Sequence, residues 1–177
     1  QALMIYRKLD DKLGESAALG NLGNVFDTLE QRTKAIEHHE QALLIHRTIG
    51  NLRGEAITLG NLGLVYSKSD KYSKAIQHYD QALALHRKIG NVRGEGAVLG
   101  NLGSAYRDLG EYTKAIEYHE QALAIHRKIA DVRGESADLG NLGNVYESLE
   151  QYLKAIELDN QALVIHRKIA DVPGEGV

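Results

Sequence analysis

The feature that most narrows what this chain can become is a period: almost every position recurs forty residues later. Gly20-Asn21-Leu22-Gly23 aligns without a gap on Gly60-Asn61-Leu62-Gly63, Gly100-Asn101-Leu102-Gly103 and Gly140-Asn141-Leu142-Gly143. A fixed period of this size describes a stacked array, in which each unit buries its apolar face against its neighbours instead of closing one central core. The expected division is a partial helix over 1–10, units over 11–50, 51–90, 91–130 and 131–170, and the opening of a further unit at 171–177. Both ends match unit interiors, Gln1-Ala2-Leu3 falling on Gln41-Ala42-Leu43 and Gly174-Glu175-Gly176 on Gly134-Glu135-Ser136. The expectation is therefore a segment of a longer array.

Within a unit the apolar spacing is helical twice over. In the second, Leu52, Leu59, Leu62, Gly63 and Tyr66 share one arc at about 100° per residue, which defines a helix A with Asn51 as its N-cap and Glu55 in its first turn. Asp11, Asn91 and Asp131 are the equivalent caps. After a break at Ser69-Asp70, the residues Tyr72, Ala75, Ile76, Tyr79, Ala82, Leu85 and Ile89 repeat the three-and-four spacing as helix B, which a glycine C-cap at Gly90 should end. Pro173 is expected at a helix start, where a missing N–H costs little. Apolar residues nowhere alternate and no Asn-Gly or Asp-Gly turn occurs, so the fold class is all-α.

Composition excludes several functions. With 43% apolar and 25% charged residues the chain is neither disordered nor collagen-like, and its apolar runs are too short to span a bilayer. The absence of cysteine removes disulfides, thiolate metal sites and cysteine nucleophiles together, and fits a reducing, cytoplasmic setting. A net charge of −3 argues against non-specific nucleic-acid binding.

Leu59-x2-Leu62-Gly63-x2-Tyr66 followed by Ala75-x3-Tyr79-x2-Ala82 resembles the tetratricopeptide repeat, with leucine in place of the usual first tryptophan. The frame also fits Leu99, Leu102, Gly103, Tyr106, Ala115 and Ala122, and it fits the first and fourth units through Phe26 and Tyr146. The forty-residue unit is similar to those of Pins-type adaptors, bacterial signalling arrays and kinesin light chains. The resemblance implies a right-handed superhelix of antiparallel helix pairs, with helix A lining a concave, peptide-binding surface. Two departures stand out. The late aromatic position holds His39, Tyr79, His119 and Asp159, which predicts looser packing at Asp159, and Arg47, Arg87, Arg127 and Arg167 replace the usual proline, which should lengthen helix B.

The face of helix A opposite its apolar arc is the candidate site. In the second unit it comprises Arg53, Ile57, Gly60, Asn61, Leu64, Ser67 and Lys68, over roughly 120° of the wheel. The third contributes Arg93, Ala97, Gly100, Asn101, Ser104, Arg107 and Asp108, the fourth Arg133, Ala137, Gly140, Asn141, Asn144, Glu147 and Ser148, and the first Leu13, Ala17, Gly20, Asn21, Asn24, Asp27 and Thr28. Asn21, Asn61, Asn101 and Asn141 form a column, flanked by Asn24 and Asn144, whose amides can hold the N–H and C=O groups of an extended peptide. The alternative is that these amides stay solvated or bond a neighbouring helix. Gly60 and Gly100 would let a ligand approach the backbone, whereas Gly23, Gly63, Gly103 and Gly143 border the apolar arc and should serve helix packing. Five cations against three anions make the stripe mildly basic, which suits an acidic peptide, because guanidinium pairs bidentately with carboxylate. Alternatively Arg53, Arg93 and Arg133 pair with Glu55, Glu95 and Glu135.

The resemblance to Pins-type arrays implies docking of an extended, partly acidic peptide. Where some of those arrays carry an arginine one turn before the asparagine, this chain has Ala17, Ile57, Ala97 and Ala137, so the partner's identity does not transfer. The column His46, His86, His126, His166 lacks a ligand spacing and reads as polar residues at helix ends rather than as a metal site. Gly-Asn-Leu-Gly lacks the Gly-Lys-Ser/Thr ending of a phosphate loop. No catalytic constellation and no cofactor motif is legible. The expectation is a non-catalytic peptide-docking module. The rivals are a spacer or self-association element stacking end to end, and a sensor arm of a larger signalling protein.

Overall fold

In the computed structural model each helix hands over to the next in three or four residues, and the sequence shows why. Helix B of the second unit runs through Lys88, Gly90 takes φ +67°, the Gly90 N–H bonds to the Arg87 carbonyl at 3.2 Å and the Asn91 N–H to the His86 carbonyl at 2.9 Å. This is the Schellman pattern, which ends a helix on a left-handed residue and satisfies its last carbonyls. The residue after the left-handed one caps the next helix: Asp11, Asn51 and Asp131 accept the N–H of Gly14, Gly54 and Gly134. One short segment thus both stops a helix and starts the next. Asp10, Glu30, Asp70, Ala130 and Glu150 adopt the same left-handed conformation without being glycine.

The structure describes residues 2–170, and Pro173, Gly174-Glu175-Gly176 and the expected unit at 171–177 lie outside them. All regular structure among the described residues is helical, and the chain divides into two compact units, Gln1–Asn91 and Val92–Val177. The first holds α1 (Ala2–Lys8), α2 (Lys12–Thr28), α3 (Arg32–Thr48), α4 (Leu52–Ser67) and α5 (Tyr72–Lys88). The second holds α6 (Val92–Asp108), α7 (Tyr112–Lys128), α8 (Val132–Ser148) and α9 (Tyr152–Ala170). In unit 1, α2 packs on α3, α4 on α5, and α3 on α4; in unit 2, α6 packs on α7, α7 on α8, and α8 on α9. The even-numbered helices are helix A and the odd-numbered ones helix B, and α3, α5 and α7 run through the arginines that replace proline.

Small residues set the helix spacing. Ala35, Ala75 and Ala115, with Ala42, Ala82 and Ala122, are fully buried along helix B, while Leu59, Leu62, Leu99, Leu102, Leu139 and Leu142 fill the space from helix A. The second glycine of each Gly-Asn-Leu-Gly receives the late-motif side chain of its partner helix. A Cβ on Gly23 would meet His39, on Gly63 Tyr79, on Gly103 His119 and on Gly143 Asp159. His39, Tyr79 and His119 are buried in these sockets, whereas Asp159 is exposed. An aromatic–cation clip repeats across every hairpin, with Lys34 over Phe26, Lys74 over Tyr66, Lys114 over Tyr106 and Lys154 over Tyr146, at 5.3, 5.5, 5.1 and 4.0 Å from the ring centres.

Candidate functional site

Helix A turns its buried arc toward helix B, and the opposite face carries the candidate residues. Asn61, Asn101 and Asn141 are half-buried on it, Asn21, Asn24 and Asn144 are exposed, and so are Arg53, Arg93 and Arg133. Among the described residues the side-chain amides of Asn21, Asn61, Asn101 and Asn141 make no hydrogen bond within the protein. The alternative in which they tie down a neighbouring helix is thereby removed. A Cβ added at Gly20, Gly60 or Gly140 would meet nothing within 4 Å. Gly100 differs, since its Cβ would stand 3.2 Å from Oδ1 of Asp138. Leu64 is 40% exposed on the same face and Ile57 49%.

Unit 2 brings its share of these residues together. Arg93, Gly100, Asn101, Arg133 and Asn141 line one cavity of about 500 Å³, along with Ser104, Asp131, His126 and Asp138. Asn144 is not among its walls. In unit 1 the candidates are dispersed: Asn21 edges an apolar cavity of about 350 Å³ shared with Ala2, Leu3, Tyr6 and Leu22, while Arg53 lies against another, of about 400 Å³, with Ile89, Gly90 and Asn91.

Two of the ion pairs that one sequence-based alternative expects, Arg53 with Glu55 and Arg133 with Glu135, do not form among the described residues. Glu55 is engaged by Arg47 at 2.8 Å and Glu135 by Arg127 at 2.9 Å, from the preceding helix B. Arg53 and Arg133 consequently have no ion pair among the described residues, and Arg93 reaches Asp131 only at 3.7 Å. Asp27, expected as an exposed groove anion, is instead buried and held by Arg32 at 2.7 Å and by Lys68 of the next unit at 2.6 Å. Its two cationic partners compensate the cost of burying the carboxylate. Arg107 and Asp108 also satisfy each other, at 2.8 Å. Among the described residues of helix A, the guanidinium groups without an ion pair therefore lie at the helix starts, at Arg53 and Arg133.

The histidines are also corrected. His46, His86 and His126 are not solvated helix-end residues but are 8%, 4% and 6% exposed. They are buried because glycines leave room for their rings, Gly54 facing His46 and Gly134 facing His126. Burial lowers the pKa of His46 and His39, and that of His78, beside Arg47 and Lys74, in the same direction. Among the described residues no group of three or more His, Cys, Asp or Glu side chains is placed to hold a metal ion, and no helix is long and apolar enough to cross a membrane. Asp138 and His126 were not legible as site residues. The available signal was a single carboxylate at a position held by Ala18, Thr58 and Val98 in the other units.

The hairpins, the socketed glycines and the forty-residue register agree with a family match. The tetratricopeptide repeat signature covers residues 15–88 and 94–168. The chain belongs to the tetratricopeptide repeat family. Its all-α fold is that of solved tetratricopeptide-like structures. BtubC (BKLC) from P. vanneervenii superposes with a TM-score of 0.81 at 24% identity, over 94% of this chain and 68% of that one. The nearly identical TPR-like repeats described as a Podosopora anserina kinesin light chain give 0.71 at 22% identity, over 89% and 78%. Aspartyl phosphate phosphatase F from Bacillus subtilis gives 0.83 at 16% identity, over 91% of this chain and 42% of that one. No curated protein matches. Tetratricopeptide repeats generally serve as non-catalytic protein-interaction modules.

Proposed function

We propose that this tetratricopeptide segment docks an extended, acidic peptide on its helix A faces. Each unit would hold a stretch of ligand main chain on its own amides, Asn21 and Asn61 in unit 1 and Asn101 and Asn141 in unit 2, with Asn24 and Asn144 at the edges. Arg53, Arg93 and Arg133 would draw its carboxylates, and Gly60, Gly100 and Leu64 would form the floor. The observation that carries this reading is the set of four side-chain amides without a hydrogen bond among the described residues, at interior helix positions where asparagine is intrinsically poor. The module works without a cofactor of its own, binds neither nucleic acid nor membrane, and acts in the cytoplasm.

The test is a titration with an acetylated, amidated peptide of four Glu-Gly repeats. Each lost amide pair is worth about 1 kcal/mol, so Asn101→Ala combined with Asn141→Ala, both lining the unit 2 cavity, should weaken binding by roughly tenfold to thirtyfold. Unchanged affinity rules the clamp out. One observation favours self-association as a second reading: Leu163 on α9 is 44% exposed, whereas its equivalents Leu43, Leu83 and Leu123 are 7%, 7% and 8% exposed. Solution mass rising with concentration in the absence of peptide would support that reading, and a constant mass would exclude it.

A further inference from the structure

The histidine near the end of each helix B uses its ring nitrogens differently in the two units. In unit 1, Asn51 accepts the Gly54 N–H through Oδ1 at 3.0 Å, which fixes its amide so that Nδ2 faces Nδ1 of His46 at 3.3 Å. Asn91 Nδ2 likewise lies 3.0 Å from Nδ1 of His86. An amide nitrogen only donates, so both Nδ1 atoms accept and each neutral ring carries its proton on Nε2. In unit 2 the cap is Asp131, and Nδ1 of His126 instead lies 2.6 Å from Oδ2 of Asp138, a residue 2% exposed. A carboxylate only accepts. Nδ1 of His126 therefore donates, and the neutral ring is left with its lone pair on Nε2.

Three departures from the repeat meet at this one imidazole. Asp131 stands where the two preceding units have Asn51 and Asn91, Asp138 where the others have Ala18, Thr58 and Val98, and Gly96 where the others have Ser16, Ala56 and Ser136. The third keeps the ring edge open, since a Cβ on Gly96 would stand 2.8 Å from Nε2 of His126. His126, Gly96 and Asp138 line the same 500 Å³ cavity as Asn101, Asn141 and Arg133. Of the two arginines there, Arg93 leans toward Asp131 while Arg133 has no ion pair among the described residues.

We propose that His126 contacts the ligand, its Nε2 accepting the main-chain N–H of an aspartate or glutamate whose side-chain carboxylate pairs with Arg133. Asp138 is the positioning residue: it acts through the ring, holding the tautomer that makes Nε2 an acceptor. This rests on the peptide-docking reading and names which residue of the peptide unit 2 selects. It accounts for a carboxylate buried at a helix position that the other repeats fill with Ala18, Thr58 and Val98.

The decisive variant is Asp131→Asn with Asp138→Val, which installs the residues found at the same positions in the preceding unit, Asn91 and Val98. Circular dichroism and thermal unfolding check that it folds. Long-range 1H–15N spectra of the imidazole should show the proton on Nδ1 in the native chain and on Nε2 in the variant. Affinity for the Glu-Gly peptide should fall about fivefold to tenfold, the scale of one lost hydrogen bond. The variant removes two negative charges, which by electrostatics alone would strengthen binding of an acidic peptide, so a fall reports the ring. Gly96→Ala, which crowds Nε2 while leaving both aspartates, should weaken binding likewise. The inference is overturned if the native ring carries a proton on Nε2, or if the double variant binds as well as the native chain while Asn101→Ala binds less well. In the latter case peptide docking stands without His126. If the native chain fails to bind the peptide, both readings fall together.

Discussion

Gly60 and Gly63 sit one turn apart on α4, yet the structure assigns them opposite responses to the same methyl group. A Cβ on Gly60 meets nothing within 4 Å, so Gly60→Ala keeps every contact and gains the helix preference of alanine, about 1 kcal/mol. A Cβ on Gly63 would clash with the Tyr79 ring, 2.6 Å from Cδ1 and 2.9 Å from Cζ, with Cε1 nearer still. Tyr79 is only 1% exposed and cannot swing into solvent without leaving a void, so overpacking of about 1–3 kcal/mol opposes the same propensity gain. The net expectation is a loss of about 1 kcal/mol for Gly63→Ala and a gain of about 1 kcal/mol for Gly60→Ala. Urea unfolding followed by circular dichroism, with the slope held in common, measures the difference as opposite displacements of the midpoint. If Gly63→Ala is as stable as Gly60→Ala, the socket account of helix packing is wrong. Gly60→Ala also tests function, because a more stable protein that binds the acidic peptide less tightly separates ligand access from folding.

Other consequences follow from the turns and the buried histidines. Ala130 takes φ +53° at the position where Gly50 and Gly90 take +69° and +67°, so Ala130→Gly should stabilise by about 1 kcal/mol and Gly90→Ala should cost a similar amount, both read from unfolding midpoints. His39 and His46 have pKa values lowered mainly by burial, the Asp27 and Glu55 carboxylates only partly offsetting it. The unfolded chain therefore binds more protons, and the stability they contribute is complete above about pH 6.5 and is lost as pH falls below it toward the depressed folded values. Thermal midpoints should drop between pH 7.5 and 5.5, and His39→Tyr, which copies Tyr79, should flatten that drop. A midpoint independent of pH over this range would refute the assignment.

Helix order and hairpin turns were legible because they depend on local chemistry that repeats: a cap, an arc of leucines and alanines, a left-handed residue. The division of glycines into an open column and a socketed column was legible too, since three residues along a helix turn one column toward the partner and the other away. Charge pairing was not legible. Asp27 meets Lys68, 41 positions later, and Glu55 is taken by Arg47 rather than Arg53, and such choices depend on how far each side chain reaches in three dimensions. The buried histidines failed for a related reason: a helical wheel marks His46 as near a helix end but not that Gly54 makes room for its ring. Asp138 carried a trace of signal as the lone carboxylate in its column, but its role emerged only from the 2.6 Å contact with His126.

The central claim is that unbonded asparagine amides on helix A hold the main chain of a docked peptide, and their own resonances report it. With the amide 15N–1H signals assigned, titration of the acetylated Glu-Gly peptide should shift the side-chain signals of Asn21 and Asn61 in unit 1 and of Asn101 and Asn141 in unit 2, each pair with its own common binding curve. Movement confined to α9 or to helix B side chains, with the four amides unchanged at saturation, would contradict it.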